Sequence, residues 1–363
     1  KAITAMLEPS PVAIVKDFLE RGANINYRDQ EGCSALYLAS RFGHGEVVEM
    51  LLKDEEIEVN APDNFGKTAL IVASKHGHAE VVEILLKDER INANAVDFSN
   101  DTALIWASRF KCNRVVEKLL KSEKVDVNRA GQDGNTALYW ACYYDYKEII
   151  EMLLGDERVN PNTAVEYGNS VLIWTCYWRK EEVIKMLLRC NRINVNAVDK
   201  YGDSALILAS FNDRRGVVKM LLRDQRIDVN KSGENGNTAL ILASRSGHEE
   251  VVLMLLADPR INVDARGEYG YTALMSAARH RRKGIVEILL KDRRIDLNAF
   301  DNHGQTAFDV CFDPSIKSIL SQNGLVSKSS SLKLADILGL LISTINYAGI
   351  IVLLAVFLAL YFD

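Results

Sequence analysis

A short pattern returns every 34 residues through most of this chain, and it constrains the fold more than any other feature. Ser34-Ala35-Leu36-Tyr37, Thr68-Ala69-Leu70-Ile71, Thr102-Ala103-Leu104-Ile105 and Thr136-Ala137-Leu138-Tyr139 open the series. Ser170-Val171-Leu172-Ile173, Ser204-Ala205-Leu206-Ile207, Thr238-Ala239-Leu240-Ile241 and Thr272-Ala273-Leu274-Met275 continue it, and Thr306-Ala307-Phe308 falls on the same register. Two places before each Ser or Thr stands a glycine, from Gly32 to Gly304, replaced once by Asn100. Gly and Asn tolerate left-handed backbone, so a tight turn is expected at each of these sites. A period of this size excludes one central globular core. No single unit can bury its own apolar faces, so each must bury them against its neighbours.

The unit from Asn64 to Asp97 shows how the pattern becomes structure. Thr68 caps a helix whose Leu70, Ile71 and Ala73 face inward. Gly77-His78 breaks that helix, and Val81, Val82, Ile84, Leu85 and Leu86 form the apolar stripe of a second one. Ile91-Asn92-Ala93-Asn94 then reads as an extended connection to a hairpin-like tip. The stretches Gly66-Lys67-Thr68-Ala69-Leu70-Ile71-Val72-Ala73 and Gly77-His78-Ala79-Glu80-Val81-Val82-Glu83-Ile84-Leu85-Leu86 resemble the ankyrin repeat, and the resemblance recurs in register over roughly residues 1 to 324.

The resemblance implies an all-α ankyrin-repeat solenoid of helix-turn-helix units with hairpin-like tips. Residues 1–27 form a partial first repeat, 28–301 eight repeats of 34 residues, and 302–324 a shortened C-terminal capping repeat with Pro314 at the first turn of its last helix. The chain departs from the family's Thr-Pro-Leu-His, carrying Ala (Val once) for Pro, and an apolar residue or Tyr for His. Interhelical Gly-His persists only at Gly43-His44, Gly77-His78 and Gly247-His248, and the 34th residue enlarges the loop around Asp88-Glu89-Arg90.

Composition narrows the functional classes. A net charge of −5 and a pI near 5.8 argue against nonspecific nucleic-acid binding, which needs a basic face. Cys33, Cys112, Cys142, Cys176, Cys190 and Cys311 show neither paired zinc-ligand spacing nor a disulfide framework, and they suit a reducing cytosol. The chain carries no phosphate-cradling loop, metalloprotease helix or nucleophile elbow. His76-Gly77-His78 offers too few ligands for a metal and reads as an interhelical turn. No catalytic activity, cofactor, metal or small-molecule substrate is expected, and the function left is protein binding.

The residues that close the first helix of each unit are the candidate site. They are Arg41-Phe42, Lys75-His76, Arg109-Phe110, Tyr143-Tyr144, Tyr177-Trp178 and Phe211, with Arg245 and Arg279 further along. The resemblance implies that these positions line a concave groove that grips partners. The expected groove is aromatic from Phe110 to Phe211 and cationic on both flanks, which suits a protein or peptide bearing aromatic and acidic anchors. The bland alternative is that the rings pack sideways and the cations form a solvated face. Phe65, Phe98, Tyr167, Tyr201, Tyr269 and Tyr271 at the tips favour binding. Trp106, Trp140 and Trp174 share a position that is apolar elsewhere, and they are expected to fill the core between repeats rather than to contact a ligand.

After Gly324 a serine-rich linker, residues 325–336, leads to an uncharged run of 26 residues from Ile337 to Phe362. A helix of that length spans about 39 Å, enough to cross a hydrocarbon core of about 30 Å. The expectation is a single-pass C-terminal transmembrane helix, with Lys328 and Lys333 keeping the repeats in the cytosol. The run also fits the first span of a multi-spanning channel or acyltransferase with a regulatory ankyrin arm, and superficially a lipid-anchor signal. The leading expectation is a membrane-tethered interaction scaffold.

Overall fold

The computed structural model describes residues 11–164, 168–233 and 235–326. The anticipated transmembrane helix, nearly all of the serine-rich linker and Tyr167 lie outside the described residues. Among the described helices none is long and apolar enough to cross a membrane. The chain divides into two compact units, Lys1–Lys200 and Tyr201–Asp363.

The first unit contains α1 (Pro11–Glu20), α2 (Ala35–Phe42), α3 (Gly45–Leu52), α4 (Ala69–His76), α5 (Ala79–Lys87), α6 (Ala103–Arg109), α7 (Asn113–Leu120), α8 (Ala137–Tyr144), α9 (Lys147–Gly155), α10 (Val171–Tyr177) and α11 (Glu181–Arg189). The second contains α12 (Ala205–Phe211), α13 (Arg215–Arg223), α14 (Ala239–Ser246), α15 (Glu249–Leu256), α16 (Ala273–Arg279), α17 (Lys283–Leu289), α18 (Ala307–Val310) and α19 (Pro314–Gln322), with one 3₁₀ turn at Glu268–Gly270. Each unit stacks like on like: α2, α4, α6, α8 and α10 pack in sequence, as do α12, α14, α16 and α18. Among the described residues there are no strands. The expected hairpin-like tips carry only isolated bridges, Arg28 to Ser34, Val96 to Thr102 and Ser232 to Thr238.

Each first helix starts where the sequence says it should. Ser34, Thr68, Thr102, Thr136 and Ser170 accept the backbone N–H three residues on, which satisfies one of the donors a helix start leaves open. Gly43 and Gly77 end their helices in left-handed conformation. Lys111, Asp145 and Arg179 occupy the same turn without glycine and keep the same conformation, at φ 59, 61 and 59°. The core is the predicted pair of stripes. Leu36, Leu70, Leu104, Leu138 and Leu172 of the first helices, with Leu51, Leu85, Leu119, Leu153 and Leu187 of the second, are all buried. Each such leucine stabilises the stack by about 1.5–3 kcal/mol.

Polar contacts repeat with the same period. Asn60 donates to the Arg90 carbonyl (2.8 Å) and accepts from Asn92 N–H (2.8 Å) in the next repeat. Asn26, Asn94, Asn128 and Asn162 do likewise, as does Asn230 in the second unit. One amide thereby holds a donor and an acceptor of the neighbouring backbone. The enlarged loop has its own device. Asp88 accepts from Arg90 N–H (2.9 Å) and pairs with its guanidinium (2.7 Å), which then reaches back to the carbonyls of Leu52 (2.7 Å) and Asp54 (2.9 Å) at the end of α3. Arg158 does the same with Leu120, Arg260 with Leu222 and Arg294 with Leu256. These carbonyls are the acceptors a helix C-terminus leaves unpaired, and a cation suits that end of the helix dipole.

The cysteines are free among the described residues. Cys142 and Cys176 sit buried in the column otherwise held by Ser40, Ser74, Ser108, Ser210 and Ser244. Burial pushes both thiols up from their ordinary pKa, so they stay protonated and unreactive.

Asp264 stands where the ladder elsewhere has asparagine. It accepts from Asp296 N–H at 3.0 Å but has no N–H to give the carbonyl beyond. Burial raises its pKa above the ordinary value. A raised carboxyl pKa favours the neutral form in the folded state, so the charged form weakens the fold at pH 7 and that penalty fades as pH falls toward the unfolded value. Asp264→Asn should therefore gain about 1 kcal/mol in urea unfolding at pH 7, and less near pH 4. Asn128→Ala should lose on the order of 2 kcal/mol at both pH values.

Candidate protein-binding surface

In the first unit the C-terminal ends of α2, α4, α6, α8 and α10 present the residues singled out in the sequence. Phe42, Phe110, Tyr143, Tyr144, Tyr177 and Trp178 are exposed by 40 to 60%. Large rings this open on neighbouring helices are unusual for a surface with no partner to meet. They are not isolated. Tyr143 meets Tyr144 at 4.8 Å and Trp174 at 5.4 Å between ring centroids, Tyr144 stacks on Trp140 at 6.0 Å, and Trp178 tilts against Trp174 at 6.0 Å. Ring pairs at these separations contribute about 0.5–1.5 kcal/mol beyond area burial.

Trp106 and Trp174 are buried, as the core reading expected, but Trp140 is half-exposed and its indole N–H has no partner among the described residues. The three indoles are thus the floor on which the exposed rings rest. Trp106 is fixed from below by a hydrogen bond from Nε1 to Asp97 Oδ2 at 2.9 Å.

The cations are woven through the rings. Lys75 lies 4.8 Å over Trp106 and 5.5 Å over Phe110, and Arg109 lies 4.4 Å over Trp140. Arg41 sits over its neighbour Phe42 at 5.7 Å. Lys67, absent from the sequence-level candidates, lies 5.2 Å over Trp106. It directly precedes the capping Thr68, a position where the period gave no reason to look for a groove residue. Burial lowers the Lys75 pKa, and the charges of Lys67, Arg41 and Arg109 lower it further, so these cations repel the Lys75 ammonium. His76 is exposed, and desolvation with the charges of Lys75 and Arg41 lowers its pKa, which leaves it neutral at pH 7. The ring of His78 donates from Nε2 to the Arg41 carbonyl at 2.9 Å, a structural contact between repeats. Cys112 takes the equivalent place below Lys75, with Sγ 3.7 Å from its carbonyl.

Not every expected cation is available in the same way. Arg109 also faces Asp101 at 3.7 Å, and in the second unit Arg245 pairs with Glu268 at 3.1 Å. Arg279 covers Phe312 at 4.5 Å, and Phe211 is 47% exposed. The tips keep Phe65, Phe98, Tyr201 and Tyr269 exposed, whereas Tyr271 is half-buried. Among the described residues no group of three or more His, Cys, Asp or Glu side chains could hold a metal ion.

A family model described as ankyrin repeats (3 copies) matches residues 3–97, 89–165, 157–233 and 227–301. None of the curated proteins matches the chain.

Asp101 couples this surface to pH. Burial, with Asp97 adding, pushes its carboxyl up to about 6, against the smaller opposing pull of Arg109. The charged form is thus disfavoured by the fold, a penalty complete above pH 6 and relieved as pH falls through the folded pKa toward the unfolded one. Asp101→Asn should raise stability by about 1–2 kcal/mol at pH 7.5, and the difference should shrink at pH 4.5. Thermal melts of both proteins at the two pH values check this.

Proposed function

The chain belongs to the ankyrin-repeat family, and on that premise we propose that it is a non-enzymatic interaction scaffold whose first unit binds a protein segment bearing aromatic and acidic side chains. The observation that carries this reading is the joined array of exposed rings and mutually repelling cations around Trp106 and Phe110. An incoming carboxylate relieves the repulsion among Lys67, Lys75, Arg41 and Arg109, and an incoming ring finds aromatic faces already ordered by their neighbours. Tyr, Trp and Arg are the side chains that most often dominate binding energy.

In the proposal, the uncharged run from Ile337 to Phe362 tethers this scaffold to a membrane with the repeats on the cytosolic side.

Peptides selected for binding to the full chain from a displayed random library provide the ligand for the test. Tyr144→Ala and Trp178→Ala should each weaken the selected peptide by about 2 kcal/mol, roughly 30-fold. Melting temperature should fall by only a few degrees, the loss expected from removing surface ring pairs. Lys75→Ala should mainly slow association and reduce its salt dependence. Unchanged affinity in both aromatic variants would refute the assigned face. For the tether, deleting residues 337–363 should release a carbonate-resistant protein into the soluble fraction, and a full chain that is soluble without detergent refutes it.

A further inference from the structure

The second unit holds a hollow of about 310 Å³ between α12 and α14. It is lined by Tyr201, Asp203, Phe211, Gly233, Leu242 and Arg245, among others. Stepping back four repeats of 34 residues aligns Leu242 with Trp106 and Gly233 with Asp97. In the first unit that pair fills the equivalent place: the Trp106 ring occupies it, and its N–H is held by the Asp97 carboxylate at 2.9 Å. In the second unit both the indole and the carboxylate are missing, and the smaller side chains leave a half-exposed Leu242 over an open space.

The walls around the space keep the character of a ring-binding site. Tyr201 corresponds to Phe65, Phe211 to Lys75 and Arg245 to Arg109. Lys75 and Arg109 both lie over the Trp106 ring, at 4.8 and 5.6 Å. Arg245 carries the same guanidinium, oriented by Glu268 at 3.1 Å, and its Nε has no partner among the described residues. Phe211 and Tyr201 add exposed aromatic faces, and Asp203 adds a carboxylate acceptor. A volume near 300 Å³ is the lower end for small-molecule pockets and suits a single side chain.

We propose that this hollow is a receptacle for one tryptophan side chain of a partner protein, which supplies from outside the indole that Trp106 supplies from within. The inference rests on the protein-interaction reading but concerns the second unit, where Phe211 and Arg245 belong to the groove expected from the sequence. Arg245 provides a cation over the ring, Phe211 and Tyr201 flank it, and Asp203 accepts from the indole N–H.

N-acetyl-tryptophanamide titrated into the full chain, with leucine methyl groups observed by NMR, tests the proposal. Expected are saturable shifts at Leu208 and Leu242, with N-acetyl-leucinamide at least fivefold weaker. Leu242→Trp places an indole where the first unit already accommodates one, and should reduce probe affinity at least tenfold while leaving far-UV circular dichroism unchanged. Phe211→Ala changes an exposed residue and should weaken the probe about fivefold even where the tryptophan variant fails to fold. No saturable shift in the parent, equal binding of the leucine probe, or unchanged affinity in Phe211→Ala would each overturn the proposal. The peptide test on Tyr144 and Trp178 reads the first unit alone, so either result can fail without the other.

Discussion

The structure depends on each repeat completing the hydrogen bonds of the one before it. A tip or loop between short helices leaves backbone N–H and C=O groups that its own unit cannot pair, and the neighbouring repeat supplies their partners. The Asn26 to Asn162 ladder answers this with one amide per repeat, which binds both a donor and an acceptor of its neighbour. The Asp-x-Arg loops answer it at the other end of the repeat by covering the last carbonyls of the preceding second helix. The period is fixed by these pairings as much as by the leucine stripes. A repeat one residue shorter would lose the register of Arg90 with Leu52, and with it the cap on α3.

The helices, their starts and their apolar stripes were legible because they depend on local chemistry. A Ser or Thr before Ala-Leu is a cap wherever it stands, and Leu85 falls on a buried face whatever follows. The helix ends were less legible. Lys111, Asp145 and Arg179 stand where other repeats have glycine, yet the backbone there is left-handed all the same. Packing on both sides of the turn outweighs a local preference of about 1 kcal/mol. The hairpin-like tips read from the sequence close by backbone turns, with Asp63 N–H to the Lys67 carbonyl and Gly66 N–H to the Asp63 carbonyl, and carry isolated bridges rather than strands.

The candidate surface was partly legible for the same reason. Position within the repeat puts Phe110, Tyr143, Tyr144, Tyr177 and Trp178 at the ends of the first helices, where they are exposed. It did not reveal how they would be held. Trp140 reads as core by its column but stands half-exposed, with Tyr143, Tyr144 and Arg109 gathered around it. Lys67 and Asp101 share the column just before the cap, and their charges matter through Asp97 of the next repeat for Lys67 and through Asp97 and Arg109 for Asp101. A residue's column could be counted; which rings and charges converge around it could not.

This division suggests how such an array acquires new recognition. The ladder and the leucine stripes are shared by every repeat, so changing them disturbs two interfaces at once. The positions at the ends of the first helices carry little of that burden. Exchanging Trp106 and Asp97 for Leu242 and Gly233 four repeats on leaves the N-cap, the left-handed turn and the buried leucine in place. What changes is local: a filled, hydrogen-bonded ring site becomes an open one with the same arginine at its edge. The first unit presents a joined array of exposed rings, whereas the second exposes Tyr201 and Phe211 beside an open hollow. A fold in which period fixes the backbone can therefore carry different surfaces at equivalent positions, because the interactions that hold it together and those that face solvent are made by different residues.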